Sequence, residues 1–149
     1  MPASHQMPPL TADELELFLS KPLIAKISTL NRDGTIHMAP LLFKYADGVI
    51  LFGTQEVSRK AQNVKRGPNA TVLIDDSGPP AKAVIIYGEA TLDYDDVIEK
   101  RAAIFEKYGR SHEQALEVAE ALAKKWRPVI IRIKPRQIIS FDYAKASLT

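Results

Sequence analysis

The run from Leu23 to Thr54 constrains this chain most, because it holds three strand-like segments joined only by tight turns. "LIAKISTL" and "VILFGT" are rich in β-branched residues, and "TIHMAPLLFKY" lies between them. The connections "NRDG" and "ADG" supply the Asn, Asp and Gly that reverse a chain. This pattern predicts an antiparallel meander of three strands. Further strands are expected at "ATVLIDD" (70–76), "AKAVIIYGEATL" (81–92), "PVIIRIKP" (128–135) and "QIISFDY" (137–143). Gly88, inside the longest of these, marks a bulge or bend. No regular strand–helix–strand alternation appears, which argues against a doubly wound sheet. The expected fold is mainly β: an antiparallel barrel of six or seven strands, closed or half open, with helices as connections and plugs.

Four helices are expected. Thr11 and Glu14 form a capping box ahead of an apolar stripe at Leu15, Phe18 and Leu19, and Pro22 stops that helix. Ser58 caps a basic helix that ends at Gly67-Pro68. Residues 94–108 and 111–125 read as two helices separated by Gly109, the second opening on a Ser111–Gln114 capping box. With 149 residues the chain fits one domain, over 11–149, preceded by a short disordered leader at 1–10. The leader has no apolar run of signal-peptide type, and no stretch is long enough to span a membrane.

Hydrolytic and metal chemistry find little support. Without cysteine there is no thiol nucleophile, disulfide or thiolate metal site, and a reducing cytoplasm fits. His5, His37 and His112 show no metal spacing, so no metal is expected. The acids Asp93, Asp95 and Asp96 suit a helix start, and Asp75-Asp76 suits a turn. A net charge of +2 gives no field for a nucleic acid, so the basic character is local. Glycine-rich phosphate loops are absent.

That local character sits in "EVSRKAQNVKR" at 56–66. Arg59 and Lys60 fall in the first turn of the basic helix, where cations oppose the helix dipole by about 0.3–1 kcal/mol each. A dianionic phosphate held by free backbone N–H groups, the Ser58 hydroxyl, Arg59 and Lys60 removes the conflict, with Thr54 adding a second hydroxyl. A solvated basic helix face is the other reading of the same residues. Pro40, which cannot donate in a ladder, belongs at an edge or bulge. There it leaves the backbone of Met38, Ala39 and Leu41 to face a flat heteroaromatic ring, or simply solvent. His37 and Tyr87 are candidate proton donors and Trp126 a candidate ring cover, each with an ordinary structural role as its alternative.

Taken together, these segments resemble the split-barrel flavoproteins related to pyridoxamine 5′-phosphate oxidase. "ISTLNRDGTIHMAPLLFKY", "GVILFGTQEVSRKAQNVKRGPNATVLID", "AVIIYGEATL" and "VIIRIKPRQIISFDY" match in order, with T-x-x-x-S-R-K the most specific element. The resemblance implies a split β-barrel homodimer holding flavin mononucleotide, FMN, at the subunit interface. It implies that Ser58, Arg59 and Lys60 grip the ribityl phosphate, with Thr54 assisting, and that Met38, Ala39, Pro40, Leu41 and Leu42 run along the ring. Asn63 is implied near the cofactor, and Lys82 and Ala83 near the ring's pyrimidine end. Ala39 stands where the vitamin-processing oxidases carry an arginine, and the chain ends at "FDYAKASLT" without their Arg- and His-containing segment. The expectation is therefore a flavin-dependent oxidoreductase acting between a small-molecule donor and acceptor, other than a true pyridoxamine phosphate oxidase. The deazaflavin coenzyme F420 is the alternative cofactor. A non-catalytic flavin-binding or redox-sensing protein and a cofactor-free interaction barrel are the rival classes. No nucleic acid or membrane partner is expected.

Overall fold

Alternating apolar residues build one seven-stranded antiparallel sheet in the computed structural model, which describes residues 8–146. The strands are β1 (Ala25–Leu30), β2 (Ile36–Leu41), β3 (Lys44–Ala46), β4 (Val49–Gln55), β5 (Asn69–Asp76), β6 (Lys82–Asp93) and β7 (Pro128–Asp142). Their order across the sheet is β2-β1-β5-β6-β7-β4-β3. The helices are α1 (Ala12–Ser20), α2 (Arg59–Arg66), α3 (Val97–Lys107) and α4 (His112–Lys125), and a 3₁₀ turn follows at Tyr143–Lys145.

The strand order forces curvature. The two edge strands, β2 and β3, are consecutive in the chain and separated only by Leu42 and Phe43. Two residues bridge about 10 Å at most. The sheet must therefore curl until its edges nearly meet, which makes the half-barrel. Alternate residues of each strand point inward, and Ile27, Ile50, Phe52, Val72, Ile74, Val84, Ile86, Ile131 and Ile133 fill the interior with no exposure.

Phe43 sits at this seam, fully buried and between ladders. Its backbone groups still need partners. The end of α3 supplies them: Tyr108 Oη accepts from the Phe43 N–H at 3.1 Å, and Lys107 Nζ donates to the Phe43 carbonyl at 3.1 Å. The Lys107 ammonium also lies 3.3 Å from the centre of the Phe43 ring and donates to the Leu19 carbonyl at 2.9 Å. Burial, with the Lys44 charge adding to it, lowers the Lys107 ammonium from its usual 10.5 to about 8.

Four expectations are revised. The three-stranded meander does not form: β2 pairs with β1, β4 pairs with β3 and β7, and "TIHMAPLLFKY" breaks into two strands at the seam. The two closing strands are one, β7, in which Arg136 is the extra residue at the register shift opposite Tyr87 and Gly88. A side chain at Gly88 would put Cβ 2.4 Å from Ile133 Cγ2 and 2.9 Å from the Lys134 carbonyl, so the bend needs glycine for the close approach of β7. The leader is packed from Pro8: its carbonyl accepts from Asp142 N at 2.8 Å, and Leu10 N donates to Ser140 Oγ at 3.0 Å. Residues 1–7, with His5, lie outside the described residues. Finally, α3 starts at Val97 rather than Tyr94, because the Asp93 carboxylate accepts from Asp95 N at 2.9 Å and Asp96 takes a left-handed φ of 48°.

Candidate functional site

The expected caps and edges are where the sequence places them. Ser58 caps α2, its Oγ accepting from Ala61 N at 3.3 Å, and the Thr54 hydroxyl lies 3.2 Å from Ser58 Oγ. Thr54 is 2 % exposed, so this pair fixes the exit of β4 to the first turn of α2. The amides of Arg59 and Lys60 lie in that first turn and have no intrahelical acceptor. Arg59 is exposed and Lys60 half-buried. Among the described residues neither side chain forms an ion pair. Burial, with the Arg101 charge adding to it, holds Lys60 below its usual value.

Between the end of β2, β4 and α3 lies a cleft of ≈ 160 Å³ lined by Leu41, Leu42, Gly53, Arg101, Ile104 and Phe105. Leu41 ends β2, the sheet's edge strand, and Pro40 sits in that strand opposite Lys26, where its missing N–H is tolerated. Met38 and Pro40 are exposed, whereas Ala39 and Leu41 turn toward the core and pack against it. The backbone from Met38 to Leu42 thus leads into the cleft beside Gly53.

The structure does not bring every expected residue to this place. Asn63 is 4 % exposed and its amide is spent inside the protein. It donates to Thr29 Oγ1 at 3.0 Å and Asn31 Oδ1 at 2.9 Å, and accepts from Arg66 Nη2 at 2.8 Å. Its part in one chain is to anchor α2 to β1. Lys82 lies 3.8 Å from the buried carboxylate of Asp142, and Ala83 is buried. Lys82 pairs with Asp142 on β7, while Thr54 pairs with Val129. Those β7 positions are separated by about 40 Å of strand path, at about 3.3 Å per residue. One chain therefore does not unite Lys82 and Ala83 with the α2 terminus. His37 is half-buried on β2, and Tyr87 (42 % exposed) and Trp126 (44 % exposed) sit well away from the core. Among the described residues no cluster of His, Asp and Glu fit for a metal occurs, and no helix is long and apolar enough to cross a membrane.

Arg101 and Gly53 were not anticipated from the sequence. Arg101 looks ordinary in "VIEKRAAIFEK", but a glycine inside the apolar run "VILFGT" is a signal of close approach. A Cβ at Gly53 would lie 2.8 Å from Arg101 Cγ and 3.1 Å from its Nε. Only glycine lets the arginine stem lie flat on β4.

A barrel closed across a two-residue seam, with a basic helix start beside its edge strand, defines the split-barrel class. A family model described as pyridoxamine 5′-phosphate oxidase matches residues 11–147, and the chain belongs to that family. Among curated proteins none matches the chain. Solved structures share the fold. The conserved hypothetical protein Rv2991 from Mycobacterium tuberculosis superposes with a TM-score of 0.75 at 20 % identity, covering 94 % of this chain and 91 % of that one. An F420 reductase gives 0.67 at 21 % identity, covering 83 % and 94 %. HutZ, the heme storage protein from Vibrio cholerae, gives 0.68 at 15 % identity, covering 88 % and 93 %.

Proposed function

We propose that the protein is an oxidoreductase that holds FMN, or the deazaflavin coenzyme F420, by its phosphate at the N-terminus of α2. The observation that carries this reading is the pair of cations, Arg59 and Lys60, neither held in an ion pair among the described residues, at a helix start that also offers the Ser58 and Thr54 hydroxyls. A dianionic phosphate satisfies the free amides, the dipole and both charges at once. Two of the residues have defined jobs before any ligand arrives. Thr54 holds Ser58 at the cap, and Ser58 holds the α2 amides in line.

When bound, a flavin or deazaflavin supplies the hydride chemistry itself. The chain's contribution is position and exclusion of water. Leu41, Leu42, Ile104 and Phe105 form an apolar wall, and the Met38–Leu42 backbone lies along the cleft's rim. Ala39 occupies the position at which the vitamin-processing oxidases carry an arginine, which favours a different small-molecule substrate.

The functional unit in this reading is a homodimer. The cleft of ≈ 160 Å³ is smaller than the about 300–1,000 Å³ of a typical small-molecule site. Leu30 (57 % exposed), Ile36 (67 %), Met38 (61 %) and Tyr87 (42 %) make an apolar outer surface, of which Leu30, Ile36 and Tyr87 line a shallow hollow of ≈ 330 Å³. A second copy seated there covers this surface. It also offers a way to bring Lys82 and Ala83 of one subunit to the α2 terminus of the other.

The test is the mass and absorption spectrum of the small molecule released from denatured purified protein. FMN or F420 is expected. A heme spectrum, or a colourless protein that binds neither coenzyme on addition, overturns the reading. Sedimentation of the loaded protein is expected to give a dimer, and a fully loaded monomer overturns that part.

A further inference from the structure

Arg101 is a cation without a counter-ion. Among the described residues it forms no ion pair. It is partly buried, and burial lowers it from its usual value. Its stem is laid on Gly53, the residue before Thr54, and its head shares the cleft with Leu41 and Leu42. Its charge is felt at Lys60, in the first turn of α2. A cation that depresses a neighbouring one beside an apolar wall is relieved by an anion that both can reach. Here the fold keeps a glycine in β4 to make room for the arginine and sets its guanidinium 5.9 Å from the centre of the Phe105 ring, with no carboxylate partner among the described residues.

We propose that Arg101 is a further anion-binding residue, which reaches from α3 past Gly53 to take the same phosphate group that Lys60 takes from α2. The inference rests on the reading of the α2 terminus as a coenzyme site and extends it to a second element. The ligand it requires is a phosphate ester whose oxygens face both helices, with its apolar portion on Leu41 and Leu42. The guanidinium suits that task because its planar fork donates two parallel hydrogen bonds to one phosphate. The site then clamps the phosphate from both sides rather than resting it on one helix end.

The experiment compares FMN with riboflavin, which lacks the phosphate, by quenching of flavin fluorescence in the full chain. The variants are Arg101→Gln, which keeps length and polarity, and Arg101→Lys, which keeps charge. Loss of one charge-assisted contact predicts roughly a 10- to 100-fold weaker FMN affinity in Arg101→Gln, less than about a threefold change for riboflavin, and partial recovery in Arg101→Lys. Equal weakening of both ligands, or no change in FMN affinity, overturns the role of Arg101 while leaving the coenzyme reading intact. Wild-type protein that binds neither FMN nor F420 overturns the coenzyme reading itself. Inorganic pyrophosphate then decides for Arg101 alone: thermal stabilisation of wild type that is lost in Arg101→Gln supports it, and equal or absent stabilisation in both overturns it.

Discussion

Replacing Arg59 and Lys60 together by alanine separates ligand binding from folding, because the two effects carry opposite signs. Both side chains lie in the first turn of α2, which contains no acidic residue. Each cation there opposes the dipole by about 0.3–1 kcal/mol, so their removal stabilises the ligand-free protein by about 0.6–2 kcal/mol before other changes. Lys60 adds relief in the same direction, since burial and Arg101 already depress it. Alanine also raises the helix propensity of α2 slightly. Binding moves the other way. Two charge-assisted hydrogen bonds to a phosphate contribute about 1.5–3 kcal/mol each, so FMN affinity falls by roughly 10²–10⁴-fold. The assays are urea denaturation of the ligand-free protein and fluorescence titration with FMN. The expected pattern is a midpoint unchanged or raised, with FMN binding largely lost. A double variant that binds FMN like wild type refutes the reasoning. So does one that loses FMN only because it is markedly less stable, since the lost affinity then reports folding.

Three further outcomes follow from local geometry. Ser58→Ala removes the Oγ that caps α2 and meets Thr54, so it lowers stability by about 1 kcal/mol and weakens FMN, whereas Ser58→Asp restores stability but places a negative charge against the phosphate and does not restore binding; recovery of both by aspartate counts against a phosphate at this terminus. Gly88→Ala drives Cβ into Ile133 and the Lys134 carbonyl and destabilises by about 1–3 kcal/mol in denaturation, with a wild-type midpoint contradicting the close approach. Lys107 is lowered from 10.5 to about 8, so between those pH values the unfolded chain carries a proton that the folded chain lacks, and stability rises with pH across that window. Discounted for solvent access the gain is about 1–2 kcal/mol, and the Lys107→Met variant is expected to show a shallower rise from pH 8 to 10.5 in urea titrations; an identical slope argues that Lys107 is not the group responsible.

Much of this fold is legible in the sequence where the signal is local. The α1 and α4 capping boxes and the Ser58 cap appear at the residues that spell them. The glycine bend at Gly88 and the edge position of Pro40 follow from what those residues cannot do in a ladder. Strand partnership is not local, and there the reading of the meander fails. "TIHMAPLLFKY" looks continuous because no turn residue interrupts it after Pro40, yet the curl of the sheet requires a break at Leu42–Phe43. The break is held by Tyr108 and Lys107, more than 60 residues away in sequence, which no window of residues reveals. At the site the basic turn was readable because dipole and charge conflict within three residues. Arg101 was not, since its isolation from acids is a fact of packing. Asn63 shows the reverse: a polar residue beside a basic turn invites a ligand role, and burial assigns it three partners within the chain.

The strand order also bears on how the chain is made. The β3–β4 hairpin joins the sheet only through β7, with Ile50 opposite Ile133 and Gln55 opposite Pro128. At about 5–20 residues per second a ribosome needs roughly 4–17 s to go from the end of β4 to the end of β7. For that interval Ile50 and Phe52 have no neighbour on one side, and the cylinder cannot close however fast its first half collapses. The C-terminal strand is thus the last stave of the barrel, and a nascent chain stalled before it would present an open, apolar edge to whatever is near.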